Sequence, residues 1–176
     1  LNTDITFVDT DINNFNNPLD LKIRPANTGF MIYKTVSNDN YTPTLELSNS
    51  HIYFSRLDIS GINLNVHDVS RDVAAISIIS TLTIQEGNHN FYNNYGGDLS
   101  SGGAIYAGSN ISLIDTCMSF SNNYTSSTGG AISTESDIIF KDASITFSGN
   151  HSEGVGGAIF SVGDISFIDA SITFSN

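Results

Sequence analysis

The amino-acid sequence predicts an all-β protein, a right-handed parallel β-helix (solenoid) with about six coils and three short strands in each coil. Three observations lead to this prediction. A motif recurs every 27 residues in the C-terminal half, apolar residues alternate within each repeat, and Gly, Asn, Asp and Ser separate the alternating segments. Short strands in a fixed frame stack on the equivalent strands of the next repeat, which produces parallel sheets.

The repeat is clearest where Gly-Gly-Ala-Ile recurs and a Phe follows each copy at the same offset. When residues 129–149 are aligned with residues 156–176, 14 of 21 positions are identical. Chance similarity does not produce such a match at a constant spacing. The repeated motif residues are Gly102, Gly103, Ala104, Ile105, Phe120 and Asn123, then Gly129, Gly130, Ala131, Ile132, Phe147 and Asn150, then Gly156, Gly157, Ala158, Ile159 and Phe174.

Within a repeat the apolar residues follow a period of two, which indicates strands. Ile138 and Phe140 are two residues apart, and so are Ile145 and Phe147. The expected strands are therefore Gly-Gly-Ala-Ile, Ile-x-Phe and Ser-Ile-Thr-Phe. The glycines and the Asn, Asp and Ser residues between them are typical of turns, and the paired glycines are expected to turn with positive φ.

Weaker copies extend the series upstream, so the whole chain, residues 1–176, is predicted to be one solenoid domain. Regular coils occupy residues 82–176, and degenerate coils with insertions occupy residues 1–81. The proposed upstream Phe landmarks are Phe15, Phe54 and Phe91. Residues 30–32 and 74–76 are interpreted as degenerate Gly-Gly-Ala-Ile strands, and residues 37–43 and 55–72 as the insertions.

Stacking of coils predicts columns, meaning residues at equivalent positions of successive coils. Phe120, Phe147 and Phe174 are expected to form an internal aromatic column. The side-chain amides of Asn94, Asn123 and Asn150 are expected to hydrogen-bond along the solenoid axis. Alternation places Ile105, Ile132 and Ile159 inside, so the residues that follow them, Tyr106, Ser133 and Phe160, are expected to face outward.

Composition and charge exclude several classes of protein. The chain has 6 Lys+Arg and 18 Asp+Glu, a formal net charge of −12, so it lacks the basic patch of a nucleic-acid-binding protein. A single Cys excludes a disulfide framework and a cysteine-based zinc site. No stretch of 18 apolar residues is present, so no direct membrane span is expected in this segment. No cofactor is expected.

Gly-Gly-Ala-Ile followed by Phe-x-x-Asn, repeated in this order, resembles the polymorphic membrane protein family of the Chlamydiae. Phe91-Tyr92-Asn93-Asn94 is a further Phe-x-x-Asn, and the resemblance covers about residues 82–176. It implies an autotransporter whose β-helical passenger lies at the cell surface or outer membrane and adheres to host cells. The chain is therefore expected to be a fragment of a longer, extracellular passenger domain. The implied partner is a host-cell surface protein or glycan, with self-association as a further expectation.

Catalysis and metal binding are the main chemical alternatives. Parallel β-helices that degrade acidic polysaccharides use Asp clusters beside Arg or Lys, but here the Asp residues recur with the repeat and Lys141 is the only Lys or Arg after residue 71. Residues that recur in every coil favour a structural role, so no catalytic residue is expected.

The aligned Asp115, Asp142 and Asp169 are weak candidates for a Ca²⁺ site, although turn capping is the favoured interpretation.

Two non-catalytic alternatives to adhesion stay open. The chain could be a purely structural, filament-forming surface repeat protein, and the Ser119, Thr146 and Thr173 column resembles one element of an ice-binding face. A second regular Thr column is missing, which disfavours ice binding. The expected binding face is the one that carries Tyr106 and Phe160, because exposed aromatic residues are frequent anchors of interfaces.

Overall fold

The computed structural model describes residues 21–26, 29–34, 44–48, 52–54, 56–97 and 101–176. These residues form an all-β parallel solenoid, and no helix occurs among them. The predicted fold class is therefore confirmed. The right-handed winding stays a prediction from the chirality of parallel crossovers.

The strands follow one another in the same order in each coil. Each strand is short because a turn of Gly, Asn, Asp or Ser interrupts the alternation after two to six residues. The strands are β1 (Leu21–Ala26), β2 (Gly29–Lys34), β3 (Thr44–Ser48), β4 (Ile52–Phe54), β5 (Leu57–Ser60), β6 (Asn63–His67), β7 (Ser70–Arg71), β8 (Ile76–Ile78), β9 (Leu82–Gln85), β10 (Asn88–Tyr92), β11 (Tyr95–Gly96), β12 (Ile105–Ala107), β13 (Ile111–Ile114), β14 (Cys117–Ser121), β15 (Tyr124–Thr125), β16 (Ile132–Thr134), β17 (Ile138–Lys141), β18 (Ser144–Ser148), β19 (His151–Ser152), β20 (Ile159–Ser161), β21 (Ile165–Ile168) and β22 (Ser171–Ser175).

Equivalent strands of successive coils pair in parallel and form four sheets. The first sheet has the order β4-β8-β12-β16-β20. In its regular coils the strand begins at the Ile of Gly-Gly-Ala-Ile and not at the first Gly, so the predicted bounds of this strand are wrong by three residues. The second has the order β1-β2-β5-β9-β13-β17-β21, and the third has the order β3-β6-β10-β14-β18-β22. The fourth, β7-β11-β15-β19, consists of two-residue strands that the sequence did not predict. β1 departs from the parallel pattern because it pairs with β2 in antiparallel orientation.

The number of coils differs from the prediction of about six. Four complete sets of four strands, β4–β7, β8–β11, β12–β15 and β16–β19, are followed by a partial set, β20–β22. The described residues therefore make about four full turns. Each turn contains the three predicted strands together with the additional two-residue strand.

The upstream coils have a different phase from the one that the sequence predicted. Residues 55–72 are not an insertion, because β5, β6 and β7 make most of a regular coil there. Phe54 is not a landmark of the Phe column, since it pairs with Ile78 in the first sheet. Leu47 occupies that column instead and pairs with Val66. The segment 30–32 lies in the second sheet, where Phe30 pairs with Leu57, and not among the Gly-Gly-Ala-Ile strands.

The assignment of residues 74–76 to the Gly-Gly-Ala-Ile column is confirmed, since Ile76 pairs with Ile105. Phe15 and the predicted insertion at residues 37–43 lie outside the described residues.

The core is a continuous apolar cylinder that the inward side chains fill. Phe91, Phe120 and Phe147 are at most 1% exposed, and their rings stack on one another at 4.9 and 5.0 Å. The predicted Phe column therefore exists and continues to Phe174, whose ring lies 5.0 Å from that of Phe147. Phe174 itself is 58% exposed, because no further coil stacks on it among the described residues.

Candidate functional site

The Gly-Gly pair determines how closely the first sheet approaches the next coil. The first glycine of each pair, Gly102, Gly129 and Gly156, has φ of +79°, +68° and +71°, as the sequence predicted. The second glycine of each pair does not have positive φ, so the prediction is wrong for it, and its role is different. A Cβ on Gly130 would lie 2.1 Å from the carbonyl oxygen of Gly157, so glycine is required there by close contact between coils.

The outward face of the first sheet carries a row of alternating aromatic and serine residues. The register of the strands sets Tyr53 beside Ser77, Ser77 beside Tyr106, Tyr106 beside Ser133, and Ser133 beside Phe160. Tyr53 is 50% exposed, and Tyr106 and Phe160 are partly exposed. We call these three residues the aromatic row. Alternation in the sequence identified Tyr106 and Phe160, but it missed Tyr53 because Phe54 was assigned to the wrong column.

The two serines between the aromatic residues are buried although they lie at outward positions. Ser77 is 6% exposed and Ser133 is 0% exposed. Ser77 donates to the carbonyl of Ala74 at 3.2 Å, and the Ser133 hydroxyl lies 3.3 Å from that of Thr128. The hydroxyls thus have partners within the protein, and the larger aromatic side chains provide the accessible surface of the row.

Tyr106 is held by a neighbouring carboxylate. Burial raises the pKa of the Tyr106 hydroxyl, and the charge of Glu135 and its hydrogen bond to the phenol raise it further. The phenol is therefore protonated at neutral pH, and the hydrogen bond restrains its ring. Glu135 itself is exposed, so it places a negative charge at the side of the row.

A second group of aromatic residues lies at another corner of the solenoid. Tyr95 and Tyr124 stack at 4.9 Å on the fourth sheet, and Tyr124 stacks on His151 at 5.6 Å. At the end of the neighbouring third-sheet strands, Tyr92 stacks on His67 at 4.6 Å. These rings occupy consecutive coils, so they contact each other face to face.

The asparagine column forms a buried hydrogen-bonded network between the third and fourth sheets. Asn94 Nδ2 donates to Asn123 Oδ1 at 2.9 Å, and Asn123 Nδ2 donates to Asn150 Oδ1 at 2.9 Å. Each Nδ2 also donates to a backbone carbonyl one coil away, that of Val66, Phe91 or Phe120. The predicted amide column is confirmed, and its role is structural.

The aligned carboxylates serve as turn residues. Asp115, Asp142 and Asp169 have φ of 49°, 50° and 49°, and Glu86 at the same position has 60°. This left-handed conformation favours Asp, Asn and Gly over most other residues. The three Asp residues border one shallow surface depression. Among the residues that the structure describes, no group of three or more His, Cys, Asp or Glu side chains is arranged to hold a metal ion.

The other recurring carboxylates also contact backbone. Asp137 Oδ1 accepts from the backbone N–H of Asp164 in the next coil at 2.9 Å, and Asn110 occupies the equivalent position one coil earlier. The recurring Asp residues are therefore distributed over two turn columns. The exposed Lys141 is the last residue of the second-sheet strand β17 and forms no ion pair among those found in the described residues.

The similarity of this chain to known proteins lies in its repeats. The described part of the chain contains no helix with the length and apolar character needed to cross a membrane. Neither curated proteins nor solved structures gave a match. The family model of the Chlamydia polymorphic membrane protein (Chlamydia_PMP) repeat matches residues 118–135 and 144–162.

Both matches coincide with the columns described above. Residues 118–135 contain the buried Phe120 and Asn123 and the following Gly-Gly-Ala-Ile strand, and residues 144–162 contain Phe147, Asn150 and the next such strand. The combination of this repeat with a parallel β-solenoid is that of a surface passenger of the autotransporter type. The resemblance seen in the sequence is thereby confirmed: this chain carries the repeat of the Chlamydia polymorphic membrane proteins.

Proposed function

We propose that this chain is a non-catalytic adhesin module that attaches a cell surface to host cells. The observation that carries the proposal is the match of two coils to the Chlamydia polymorphic membrane protein repeat. A solenoid of this kind offers long, flat side faces, and here one face presents the aromatic row of Tyr53, Tyr106 and Phe160. Such aromatic side chains supply much of the binding energy of interfaces.

The arrangement of acidic groups supports binding without catalysis. A hydrolase or lyase needs two groups that exchange protons with one substrate, usually beside cations that bind its carboxylates. Here Asp142 and Asp169 adopt turn conformations, and Asp137 caps the backbone of the next coil. Arg56 is paired with Asp58 at 3.0 Å.

Attachment is tested with the full 176-residue chain and cultured epithelial cells. We expect saturable binding of the fluorescently labelled chain, with competition by an excess of unlabelled chain. The double variant Tyr106→Ser/Phe160→Ser should bind more weakly if the row makes contact. Absence of saturable binding by the folded wild-type chain would contradict the proposed function.

The filament-forming alternative gives a different result in the same preparation. Sedimentation of the chain over a range of concentrations would then show growing oligomers, while the cells would bind no chain above background. A monomer that binds cells supports adhesion.

A further inference from the structure

The aromatic row has a spacing that differs from every other aromatic column in the described residues. Tyr53, Tyr106 and Phe160 lie in β4, β12 and β20, so a coil that contributes Ser separates each ring from the next. Adjacent coils are about 4.8 Å apart, and the rings are therefore about 9.6 Å apart along the axis. Two sugar residues of an extended β1,4-linked polysaccharide advance by a similar distance.

The alternation of aromatic residues with serine along the row also determines whether neighbouring rings cover each other. In the Tyr95, Tyr124 and His151 stack, rings of consecutive coils lie 4.9 and 5.6 Å apart, so each ring covers the face of its neighbour and presents mainly its edge to solvent. The rings of the aromatic row are too far apart to cover each other. Each instead adjoins a small, buried serine, with Ser133 at 0% exposure between Tyr106 and Phe160.

Charge selects among polysaccharides. The chain carries a net charge of −12, and Glu135, which directly follows β16, lies beside Tyr106. Sulfated or uronate-containing chains would be repelled, whereas an uncharged chain has no such penalty. The apolar face of an uncharged pyranose is also suited to packing on an aromatic ring, which combines large apolar area with few rotatable bonds.

We propose that Tyr53, Tyr106 and Phe160 form a track that binds a neutral, extended, β1,4-linked polysaccharide, with one ring under every second sugar. This inference names the partner class of the proposed adhesin and rests on that proposed function. The track extends over four coil spacings, about 19 Å. A chain of several sugars therefore contacts all three rings, whereas a disaccharide contacts one.

Calorimetric titration of the full chain with chitohexaose, a neutral β1,4-linked hexasaccharide, tests the proposal. We expect binding of chitohexaose, weaker binding of chitobiose, and no binding of a hyaluronan hexasaccharide, which has uronate groups. Tyr106→Ser should weaken the binding of chitohexaose about tenfold, a typical loss for truncation of an aromatic anchor. Ser is native at the equivalent positions 77 and 133, so the variant should keep the fold, which a denaturation midpoint verifies.

Two further variants test whether the effect of Tyr106→Ser is specific to the ring at this position or follows from the loss of any surface aromatic residue. Tyr106→Phe keeps the ring and should bind chitohexaose like the wild type, although it loses the hydrogen bond to Glu135. Tyr95→Ser removes an exposed ring, 41% accessible, from the fourth sheet and should also bind normally. Preference for hyaluronan, or equal affinities for wild type and Tyr106→Ser, would overturn the track.

The cell assay separates failure of the track from failure of the adhesin. If the wild-type chain binds cells but not chitohexaose, the polysaccharide track is wrong, the proposed function stands, and a protein partner becomes the better explanation. If the chain binds chitohexaose through Tyr106 but does not bind cells, the track stands and host-cell adhesion is wrong.

Discussion

Phe147 illustrates how a single side chain contributes to the solenoid core. Its ring is 1% exposed and stacks between Phe120 and Phe174, each at 5.0 Å. We expect Phe147→Ala to destabilise the chain by about 3–5 kcal/mol, because the change removes apolar burial and leaves a cavity. Lys141→Ala, at an exposed position, serves as the control and should have little effect. Equal urea midpoints for the two variants would contradict the inward placement of the Phe column.

Asn123 tests whether a buried amide is needed for the turn. It is 0% exposed, accepts from the backbone N–H of Asn94 at 3.2 Å and donates to the carbonyl of Phe91 at 2.9 Å. Asn123→Ala leaves both buried groups unsatisfied, so we expect a loss of about 2 kcal/mol or more in the free energy of unfolding. Asn90→Ala, which removes only an exposed bond to Asn65, is the matched control. A similar loss of unfolding free energy in both variants would show that the buried amide network does not stabilise the fold more than the exposed bond does.

His89 makes the stability of the chain sensitive to acid. The ring is 1% exposed, its Nε2 lies 2.8 Å from the carbonyl oxygen of Glu86, and its Nδ1 has no hydrogen-bond partner. Burial lowers the pKa of His89, and the backbone contact only partly opposes this effect. The unfolded chain therefore takes up a proton at a higher pH than the folded chain does. Stability contributed by this residue is complete above pH about 6.5 and is lost as the pH falls from there toward the lowered pKa.

The corresponding experiment replaces His89 by Met, since Met118 occupies the same column in the next coil. We expect the wild-type chain to lose up to about 1.4 kcal/mol per pH unit below pH 6.5, relative to His89→Met. Urea unfolding at pH 7.5 and at pH 5.5 measures the difference. Parallel pH profiles for the two proteins would mean that His89 is not buried in its neutral form.

The turn elements depend on glycine for two separate physical reasons. At Gly129 the backbone is left-handed, whereas at Gly130 the limit is the distance to the next coil. We expect Gly130→Ala to cost about 1–3 kcal/mol, because the new Cβ would overlap the carbonyl oxygen of Gly157 at 2.1 Å and the amide nitrogen of His151 at 2.6 Å. Gly157→Ala is a matched control, since its nearest atom would be 4.0 Å away. Thermal midpoints distinguish the two variants, and equal midpoints would refute the close contact.

The strands of the third and fourth sheets differ in how clearly the sequence alone predicts them. A third-sheet strand such as β14 has five residues with alternating burial and is recognisable on its own. A fourth-sheet strand such as β15 has two residues, too few to show any period. Its existence depends on hydrogen bonds to the coils on both sides, for example from Tyr124 N–H to the carbonyl of Asn94. This is why the three longer strands could be predicted and the fourth could not.

At the scale of the whole molecule, the recurrence of acidic residues predicts an absence of polysaccharide cleavage. In the regular coils that the structure describes, Asp115, Asp142 and Asp169 adopt turn conformations, and Asp137 accepts a hydrogen bond from the backbone of the next coil. We expect no product release from pectin or hyaluronan in a sensitive reducing-end or absorbance assay. Asp142→Asn should leave that background unchanged. Cleavage by the wild type that disappears in Asp142→Asn would contradict the non-catalytic function.

The candidate site was only partly predictable, again because of the phase of the coils. Tyr106 and Phe160 follow the Gly-Gly-Ala-Ile motif directly, so alternation alone placed them on the outward face. Tyr53 precedes the regular repeats and has no such motif before it. It joins the row only through its pairing with Ser77, which the sequence did not reveal. The spacing of two coils between rings therefore became visible only when all five strands of the first sheet were in register.

The sequence by itself determined the parallel solenoid, the inward Phe column and the buried Asn column. These features follow from a 27-residue recurrence and a period of two, and both are local properties of the chain. Only the tertiary structure decided the phase of the upstream coils, where Leu47 rather than Phe54 continues the Phe column. The physical reason is that Leu, Ile, Val and Phe fill a solenoid core almost interchangeably. Which column a residue enters is then decided by hydrogen bonds to strands in the neighbouring coils.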